Sequence, residues 1–352
     1  MRILSEINYV GGLGADRWIG EGFMDAFETL GHEHFWLEAG NNLESRLKEV
    51  KPDILMTSQG RVRKNDLPAL ASFRKNGGKV VLRVDAYFDS DPETADILIN
   101  HDVADIYYGE VEDAWMERFR KTTGKKYVVI ANAAHHKMRP GKPVPKYKCD
   151  IVFMGDAKVP KKKEILKVLV PPLRKKYDVK VFGPNWTLKD KILRIAGFLF
   201  RKAGLESGKN FIQKIRMTVP PEDEPALYSS AKICINIHSR TEDIKDHVIL
   251  NERTFKIAAC GGFEICDFVP PLRKYFSEDE MVMACPSAKS GDAARADDKN
   301  GDWIKDWFEK IDYYLKHDDE RRAIQERGTK RALRDHTYIN RVRQLFDLLG
   351  IK

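Results

Sequence analysis

The segment from Asn251 to Gly262 carries the residue types best suited to holding a phosphate group. Its small and apolar residues predict a helix that begins near Asn251 and stops at the glycine pair Gly261-Gly262. The amino-terminal end of a helix carries partial positive charge, and Arg253 adds a forked guanidinium that suits a diphosphate. We therefore predict that Asn251 and Arg253 stabilise the negative charge of a nucleoside-diphosphate leaving group.

A second candidate is the glycine-rich turn Gly11, Gly12, Leu13, Gly14, which follows the first predicted strand. Glycines let the backbone approach a ligand closely, and amides at the start of the next helix favour anions or hydroxyl oxygens. The spacing is not GxGxxG, and no acidic residue ends the second strand, so a NAD site is poorly supported. The turn has two interpretations, a phosphate or sugar contact and a plain chain reversal.

Acidic residues follow the strand-like run from Lys79 to Val84. We expect Asp85 to act as a general base or acceptor contact, and the alternative is that it caps the following turn. Asp89 and Asp91 form a DxD, which resembles the metal and diphosphate ligand of GT-A glycosyltransferases. Pro92 follows directly and favours a turn, and no Cys/His spacing suggests a zinc site.

The segments that must position these candidates alternate between strand-like and helical patterns. In the first half, apolar helical faces such as that from Ile19 to Leu30 separate short β-branched runs. This alternation predicts a parallel, doubly wound α/β sheet, and such sheets bind ligands beyond the carboxyl ends of their strands.

The alternation stops between His135 and Lys148, where three prolines fall in a basic stretch without periodicity. It starts again at Asp150. We predict two Rossmann-like domains facing a cleft, the outline of the GT-B architecture, at residues 1–140 and 148–335. A last helix at residues 338–352 is expected to pack back on the first domain.

Residues 185–221 form an insertion in the second predicted domain. Its apolar residues define one helical face, and lysines and arginines surround that face. The apolar residues are Leu188, Ile192, Ile195, Ala196 and Leu199. A basic amphipathic helix of this kind can lie on an anionic membrane, which suggests peripheral contact through residues 188–202. The alternative is that this face packs on its own domain or on a second subunit.

Composition is typical of a folded protein with a basic surface. The 352 residues are 42% hydrophobic and 32% charged, with a net charge of +8. This excess favours anionic partners, whether phosphates, nucleic acid or an acidic membrane surface. No apolar run approaches the length that crosses a bilayer, no signal peptide is recognisable, and the odd number of cysteines fits reduced thiols. We predict a cytoplasmic protein.

Several blocks of the second half carry a family resemblance. The segment from Asn251 to Gly262 resembles the R-x-F-E-x-x-A-x-G block of the spore maturation protein CgeB-like glycosyltransferases. More distantly, it is similar to the E-A-x-A-x-G block of retaining GT-B enzymes. The other matching blocks, in order, are Asp150 to Gly155, Val181 to Trp186, Leu227 to His238, and His336 to Arg341. The first half matches only in outline.

This resemblance implies a UDP- or GDP-type nucleotide sugar held by the second domain and an acceptor on the first. It places nucleotide contacts and diphosphate contacts at the ends of the second domain's strands. The positions implied are Gly155, Asp156, Gly183, Trp186, His238, Arg240, Asn251 and Arg253. Lys256 stands where the family has a carboxylate, which in retaining GT-B enzymes contacts the ribose hydroxyls. A lysine cannot accept those hydrogen bonds, but it adds positive charge near phosphate.

These observations predict a glycosyltransferase that moves a sugar from a nucleoside-diphosphate sugar to an acceptor hydroxyl. We expect no bound cofactor and no obligatory metal. The acceptor is open among a glycan, a lipid-linked glycan, a protein and a nucleic acid, and an oligomer is compatible with the sequence. Two alternatives are a protein that binds or modifies nucleic acid through a basic cleft and a catalytically silent GT-B-like scaffold, which Lys256 favours.

Overall fold

The computed structural model describes residues 1–6, 15–38, 40–110, 114–156, 160–216, 219–240, 248–284 and 302–351. The chain divides into two compact units. The first unit contains Met1–His136, Arg240–Leu250 and Thr337–Lys352, and the second contains Lys137–Ser239 and Asn251–His336.

The first unit is built on a six-stranded parallel sheet with the order β2-β1-β3-β4-β5-β6. Its strands are β1 (Arg2–Glu6), β2 (Glu33–Leu37), β3 (Ile54–Ser58), β4 (Lys79–Arg83), β5 (Ile106–Gly109) and β6 (Tyr127–Val129). The connecting helices are α1 (Ala15–Thr29), α2 (Leu43–Val50), α3 (Leu67–Lys75), α4 (Pro92–Asn100) and α5 (Ala114–Thr123).

Apolar residues alternate between the two faces of this sheet. Ile3 and Val81 belong to one buried cluster, while their neighbours Leu4 and Leu82 belong to another. Successive side chains of a strand point to opposite faces, so a sheet covered by helices on both sides needs apolar residues at nearly every position.

The second unit is built on a five-stranded parallel sheet with the order β13-β12-β9-β7-β8. Its strands are β7 (Cys149–Met154), β8 (Val179–Phe182), β9 (Ala231–Asn236), β12 (Glu264–Asp267) and β13 (Val282–Ala284). A separate two-stranded ladder joins β10 (Ser239–Arg240) and β11 (Val248–Ile249). The two parallel, doubly wound sheets that the sequence predicts are confirmed.

Seven α-helices belong to the second unit in the described part of the chain. They are α6 (Pro160–Arg174), α7 (Leu188–Lys202), α8 (Glu206–Arg216), α9 (Glu224–Ser230), α10 (Glu252–Ala259), α11 (Asp302–Lys316) and α12 (Asp318–Asp335). Among the helices that the structure describes, none combines the length and the apolar character needed to span a bilayer.

The last helix, α13 (Tyr338–Leu349), is part of the first unit and packs against α1. The Tyr338 ring occupies the space beside Gly22, where a Cβ atom would lie 2.2 Å from the ring. Val342 and Leu345 on the same helix are fully buried. The C-terminal segment therefore completes the hydrophobic core of the first unit.

Replacing Leu345 by alanine should lower the free energy of unfolding by about 2–5 kcal/mol, because it opens a cavity in this core. Leu348 is the same residue type on the same helix but is 42% exposed. Leu348→Ala should therefore cost about 0.5 kcal/mol or less. Urea denaturation of both variants measures the difference, and equal losses would contradict this packing.

Candidate functional site

The strand order of the second sheet reverses direction at β7. The chain passes from β7 to β8 on one side and then to β9 on the other. In open α/β sheets, ligands bind outside the carboxyl ends of the strands at such a reversal, because the two connecting segments diverge there. The positions that follow directly are Gly155 after β7 and Ile237 after β9.

Arg253 lies at this reversal. It is the second residue of α10, and its Nη1 donates a hydrogen bond to the carbonyl oxygen of Met154, the last residue of β7. Its Nη2 lies 3.5 Å from the carbonyl oxygen of Ile237. The guanidinium carbon is 5.6 Å from the centroid of the Phe153 ring, a cation–π contact. The ends of both strands thus hold a positive charge at the amino terminus of a helix, which also attracts anions.

Two glycines allow the ends of β7 and β8 to approach this arginine. Gly183 has φ +114°, and a Cβ atom there would lie 2.2 Å from the carbonyl oxygen of Gly155. A Cβ atom at Gly155 would lie 2.3 Å from Nη1 of Arg253. The close packing therefore requires backbone without side chains at both positions.

Asp156 and Trp186 lie at the same edge. Trp186 Nε1 donates to the carbonyl oxygen of Gly155 at 2.7 Å. Asn185 Nδ2 donates to Asp156 Oδ1 at 2.5 Å. The structure therefore brings together five of the residues that the sequence selects: Gly155, Asp156, Gly183, Trp186 and Arg253.

Asn251 fixes the start of α10. Its Oδ1 accepts from the Thr254 amide at 3.2 Å, which caps the helix. Its Nδ2 donates to Asn236 Oδ1 at 3.0 Å and to the carbonyl oxygen of Ile237 at 3.2 Å. Asn251 thereby ties the helix that carries Arg253 to the end of β9.

His238 is buried beneath the same helix turn. Its Nδ1 lies 2.8 Å from Asp267 Oδ1 and its Nε2 lies 2.9 Å from Thr254 Oγ1. The ring is fully buried, so both nitrogens are used within the protein. These contacts position α10 on β9 and β12, and a donor contact by His238 stays a prediction.

Sequence reasoning missed the buried partners in this network. Asn236 Nδ2 donates to Glu264 Oε1 at 2.8 Å and to Asn251 Oδ1 at 3.1 Å. Asn236 ends β9 and Glu264 begins β12, both are buried between apolar neighbours in sequence, and a buried polar side chain needs a partner. Their polarity in apolar runs is a signal that could have found them.

Lys256 lies in a buried ion cluster. Its ammonium is 2.5 Å from Glu224 Oε2 and 3.1 Å from Glu252 Oε2, and all three residues are buried. Burial lowers the pKa of Lys256, but the two carboxylates raise it by more, so the lysine is charged. A buried ammonium requires such counter-charges, which is why Lys256 is engaged here instead of beside a phosphate.

Two carboxylates share this one ammonium, so the second carboxylate is poorly compensated. Burial raises the pKa of Glu252 to about 6, against the opposing effect of Lys256. The cluster therefore binds a proton as the pH falls through about 6.

The acidic candidates of the first unit accept hydrogen bonds from other groups of that unit. Asp85 Oδ1 accepts from the Tyr87 amide at 2.8 Å and from Gln59 Nε2 at 2.9 Å, and Asp85 is exposed. Asp89 pairs with Arg118, and Asp91 caps α4 through the Thr94 amide at 2.9 Å. Asp85 thus makes the turn contacts of the second interpretation, its role as a general base stays a prediction, and both carboxylates of the DxD bind groups of the first unit.

A pocket in the first unit lies where its own strand order reverses, between β1 and β3. Glu6 Oε2 accepts from the Ser58 amide at 2.8 Å and from Thr57 Oγ1 at 3.2 Å. Arg83 Nη1 lies 3.6 Å from Glu110 Oε1. The polar and aromatic lining includes Ser5, Glu6, Trp36, Ser58, Arg83 and Tyr108. The sequence analysis selected none of these residues, although each one lies in a strand of the sheet.

Four of the predicted donor residues either lie outside the described residues or are described by their backbone alone. Gly11, Gly12 and Gly14 lie outside the described residues. Of Arg240 the structure describes the backbone only, in β10.

A comparison with protein families covers most of the second unit. The sequence model of a family described as glycosyl transferase-like matches residues 162–347, just over half of the chain. The chain belongs to this family. The matched region contains Gly183, Trp186 and Arg253, and it extends into α13. A comparison with curated protein sequences gives no match.

Solved structures with a similar fold are GT-B glycosyltransferases. Sucrose-phosphate synthase from Thermosynechococcus elongatus has a TM-score of 0.57 at 11% identity, covering 99% of each chain. An alpha-glucosyltransferase in complex with UDP has a TM-score of 0.60 at 12% identity, covering 99% of this chain and 100% of that chain. Anabaena HepE in complex with UDP-glucose has a TM-score of 0.58 at 13% identity, covering 99% of each chain. The predicted GT-B fold class is confirmed for this glycosyl transferase-like protein.

Replacing Gly183 by alanine should destabilise the protein by about 1–3 kcal/mol, because its φ is strained for an L-residue and the Cβ atom meets the Gly155 carbonyl. Gly204→Ala is the matched control. Gly204 also has positive φ (+70°), but its Cβ atom would meet nothing within 4 Å. Urea denaturation should show the larger loss for Gly183→Ala, and an equal or smaller loss would contradict the close approach.

Replacing Glu252 by glutamine should remove a pH dependence of stability. The folded-state pKa of about 6 exceeds the usual 4.5, so this group's stabilisation is present below pH 4.5 and is lost as pH rises through 6. Between pH 4 and 7, the wild type should lose about 2 kcal/mol relative to Glu252→Gln. Urea denaturation across this range measures the difference. The exposed control Glu278→Gln should show no such change, and a constant difference for Glu252→Gln would refute the assignment.

Proposed function

We propose that this protein transfers a sugar from a nucleoside-diphosphate sugar to an acceptor hydroxyl and that the second unit holds the donor. Membership of the glycosyl transferase-like family supports the reaction class. The observation that carries the donor assignment is the position of Arg253, at a helix amino terminus and at the reversal of strand order.

The chemistry of the leaving group fits this position. As the bond to the anomeric carbon breaks, the diphosphate gains negative charge and the sugar becomes oxocarbenium-like. A preorganised guanidinium and a helix terminus stabilise that charge without having to reorganise during the reaction. The fork of Arg253 has five N–H donors, so it can bind phosphate oxygens while strand carbonyls hold its position.

The nucleotide is proposed to lie along the edge formed by Gly155, Asp156, Gly183 and Trp186. The two glycines keep this edge free of Cβ atoms, and Asp156 adds a carboxylate that can accept from hydroxyl groups. The similar structures named as complexes with UDP or UDP-glucose support a uridine nucleotide as the first candidate.

The acceptor is proposed to bind in the pocket of the first unit. Its lining offers a carboxylate, a guanidinium, hydroxyl groups and an indole ring, through Glu6, Arg83, Ser58 and Trp36. These groups suit a ligand that carries several hydroxyls, because aromatic faces cover the apolar side of a sugar ring and charged groups bind its hydroxyls.

Within the wider family, we propose that the chain is a CgeB-like member. The blocks around Gly155, Trp186 and Arg253 support this assignment, and these residues meet at one edge of the sheet. Lys256 replaces the carboxylate that this family usually has. The replacement is compatible with the proposal, because Glu224 and Glu252 supply the opposite charges that a buried lysine needs.

Arg253→Gln should weaken UDP binding by about 10- to 100-fold, as expected for the loss of charge-assisted hydrogen bonds of about 1.5–3 kcal/mol. Arg273→Gln is the control, because Arg273 is exposed and pairs with Glu278 at 3.2 Å. Isothermal titration with UDP measures binding. Donor turnover with a panel of UDP-, GDP- and CDP-sugars identifies the donor class.

Arg253→Lys separates charge from geometry, because a lysine keeps the charge and loses the fork. It should recover only part of the lost affinity. Unchanged UDP affinity in Arg253→Gln, or turnover of no sugar nucleotide by the wild type, would overturn the proposal.

A further inference from the structure

The helical hairpin formed by α7 and α8 presents a large apolar surface to solvent. Fourteen large hydrophobic side chains are exposed among the described residues, and eight of them lie in this hairpin. Their exposed fractions range from 44% to 73%. The eight residues are Leu188, Ile192, Ile195, Phe198, Leu199, Leu205, Phe211 and Ile215. Contiguous exposure of this kind marks an interaction surface, whereas single exposed hydrophobics are ordinary.

The exposed residues do not belong to the hairpin's own interior. The two helices pack through other positions, where Gly197 faces Ile212 and Gly208 faces Phe200. On α7, the residues Leu188, Ile192, Ile195 and Leu199 recur at helical spacing and form a separate stripe. This stripe is exposed along its length.

The charge of the chain is concentrated in the same hairpin. Residues 188–216 contain eight lysines and arginines and two acidic residues, a net charge of +6 out of +8 for the whole chain. One of the two acids, Asp190, is paired with Arg216 at 2.8 Å. The rest of the chain is therefore close to neutral, and the positive potential surrounds the apolar stripe.

We propose that this hairpin docks on the surface of an anionic lipid bilayer. An amphipathic helix with a basic rim places its apolar face at the boundary of headgroups and acyl chains while its cations contact lipid phosphates. The 15 residues of α7 extend over about 22 Å, which is short of the bilayer core, so the helix lies in the plane of the surface. This proposal does not depend on the proposed enzymatic activity.

A second copy of this chain suits the surface less well than a bilayer does. Two hairpins that meet through these faces would bring together two segments of charge +6. Like charges repel at short range, and no acidic patch within the hairpin can offset them. An anionic bilayer supplies both the apolar layer and the opposite charge.

Flotation of the full chain with lipid vesicles tests this proposal in the absence of any sugar nucleotide. The protein should float with phosphatidylcholine vesicles that contain phosphatidylglycerol, and little should float with phosphatidylcholine alone. High salt should weaken the binding. The double variant Lys191→Gln/Arg194→Gln should lower the affinity by about 25-fold, roughly fivefold for each charge removed.

The apolar contribution is tested by Ile192→Glu/Leu199→Glu, which changes only exposed side chains and should abolish flotation. Ile99→Glu is the control, because Ile99 is 41% exposed in the first unit, and it should float like the wild type. The proposal is overturned if the wild type does not bind anionic vesicles or if the double glutamate variant floats equally well. It is also overturned if those substitutions only convert a dimer to a monomer, as light scattering would show.

Discussion

The proposed donor site depends on one constraint, the need to hold a positive charge where the strand order of the second sheet reverses. Arg253 meets this constraint because the carbonyl groups that end β7 and follow β9 both accept hydrogen bonds from its guanidinium. The same carbonyls would otherwise make this edge electronegative. The arginine brings a positive charge to this edge, and Gly155 and Gly183 are required so that the backbone can come close enough.

The residues around Arg253 divide into those that can reach a ligand and those that position the helix. Asn251 and His238 belong to the second group, since their hydrogen bonds go to Asn236, Thr254 and Asp267. A side chain on a buried network holds a helix terminus more rigidly than apolar packing does, because each hydrogen bond is directional. Rigid placement matters for the proposed leaving-group site, because small displacements weaken electrostatic stabilisation. The Lys256 cluster stabilises the same helix from its buried face.

Much of the fold could be predicted from the sequence, because apolar periodicity marks most strands and helices, although α4, α8 and β13 were not predicted. Local motifs select Gly155, Gly183, Trp186 and Arg253, and these residues do lie together. Lys256 and His238 show which contacts local motifs could not predict. Whether a polar residue on a helix or strand faces ligand or protein depends on partners far along the chain, such as Glu224 and Asp267. The pocket of the first unit was missed for the same reason, since Glu6, Trp36 and Arg83 meet only when the sheet forms.

Hydrogen–deuterium exchange of the intact protein with and without UDP tests the central claim most directly, because it maps where the nucleotide is held. Amide exchange should slow in the peptides that contain residues 153–156, 183–186 and 251–255, the three segments that meet at Arg253. Ligand binding stabilises the amides that it covers. Protection confined to the first unit, or UDP binding that leaves these three segments unchanged, would contradict the account.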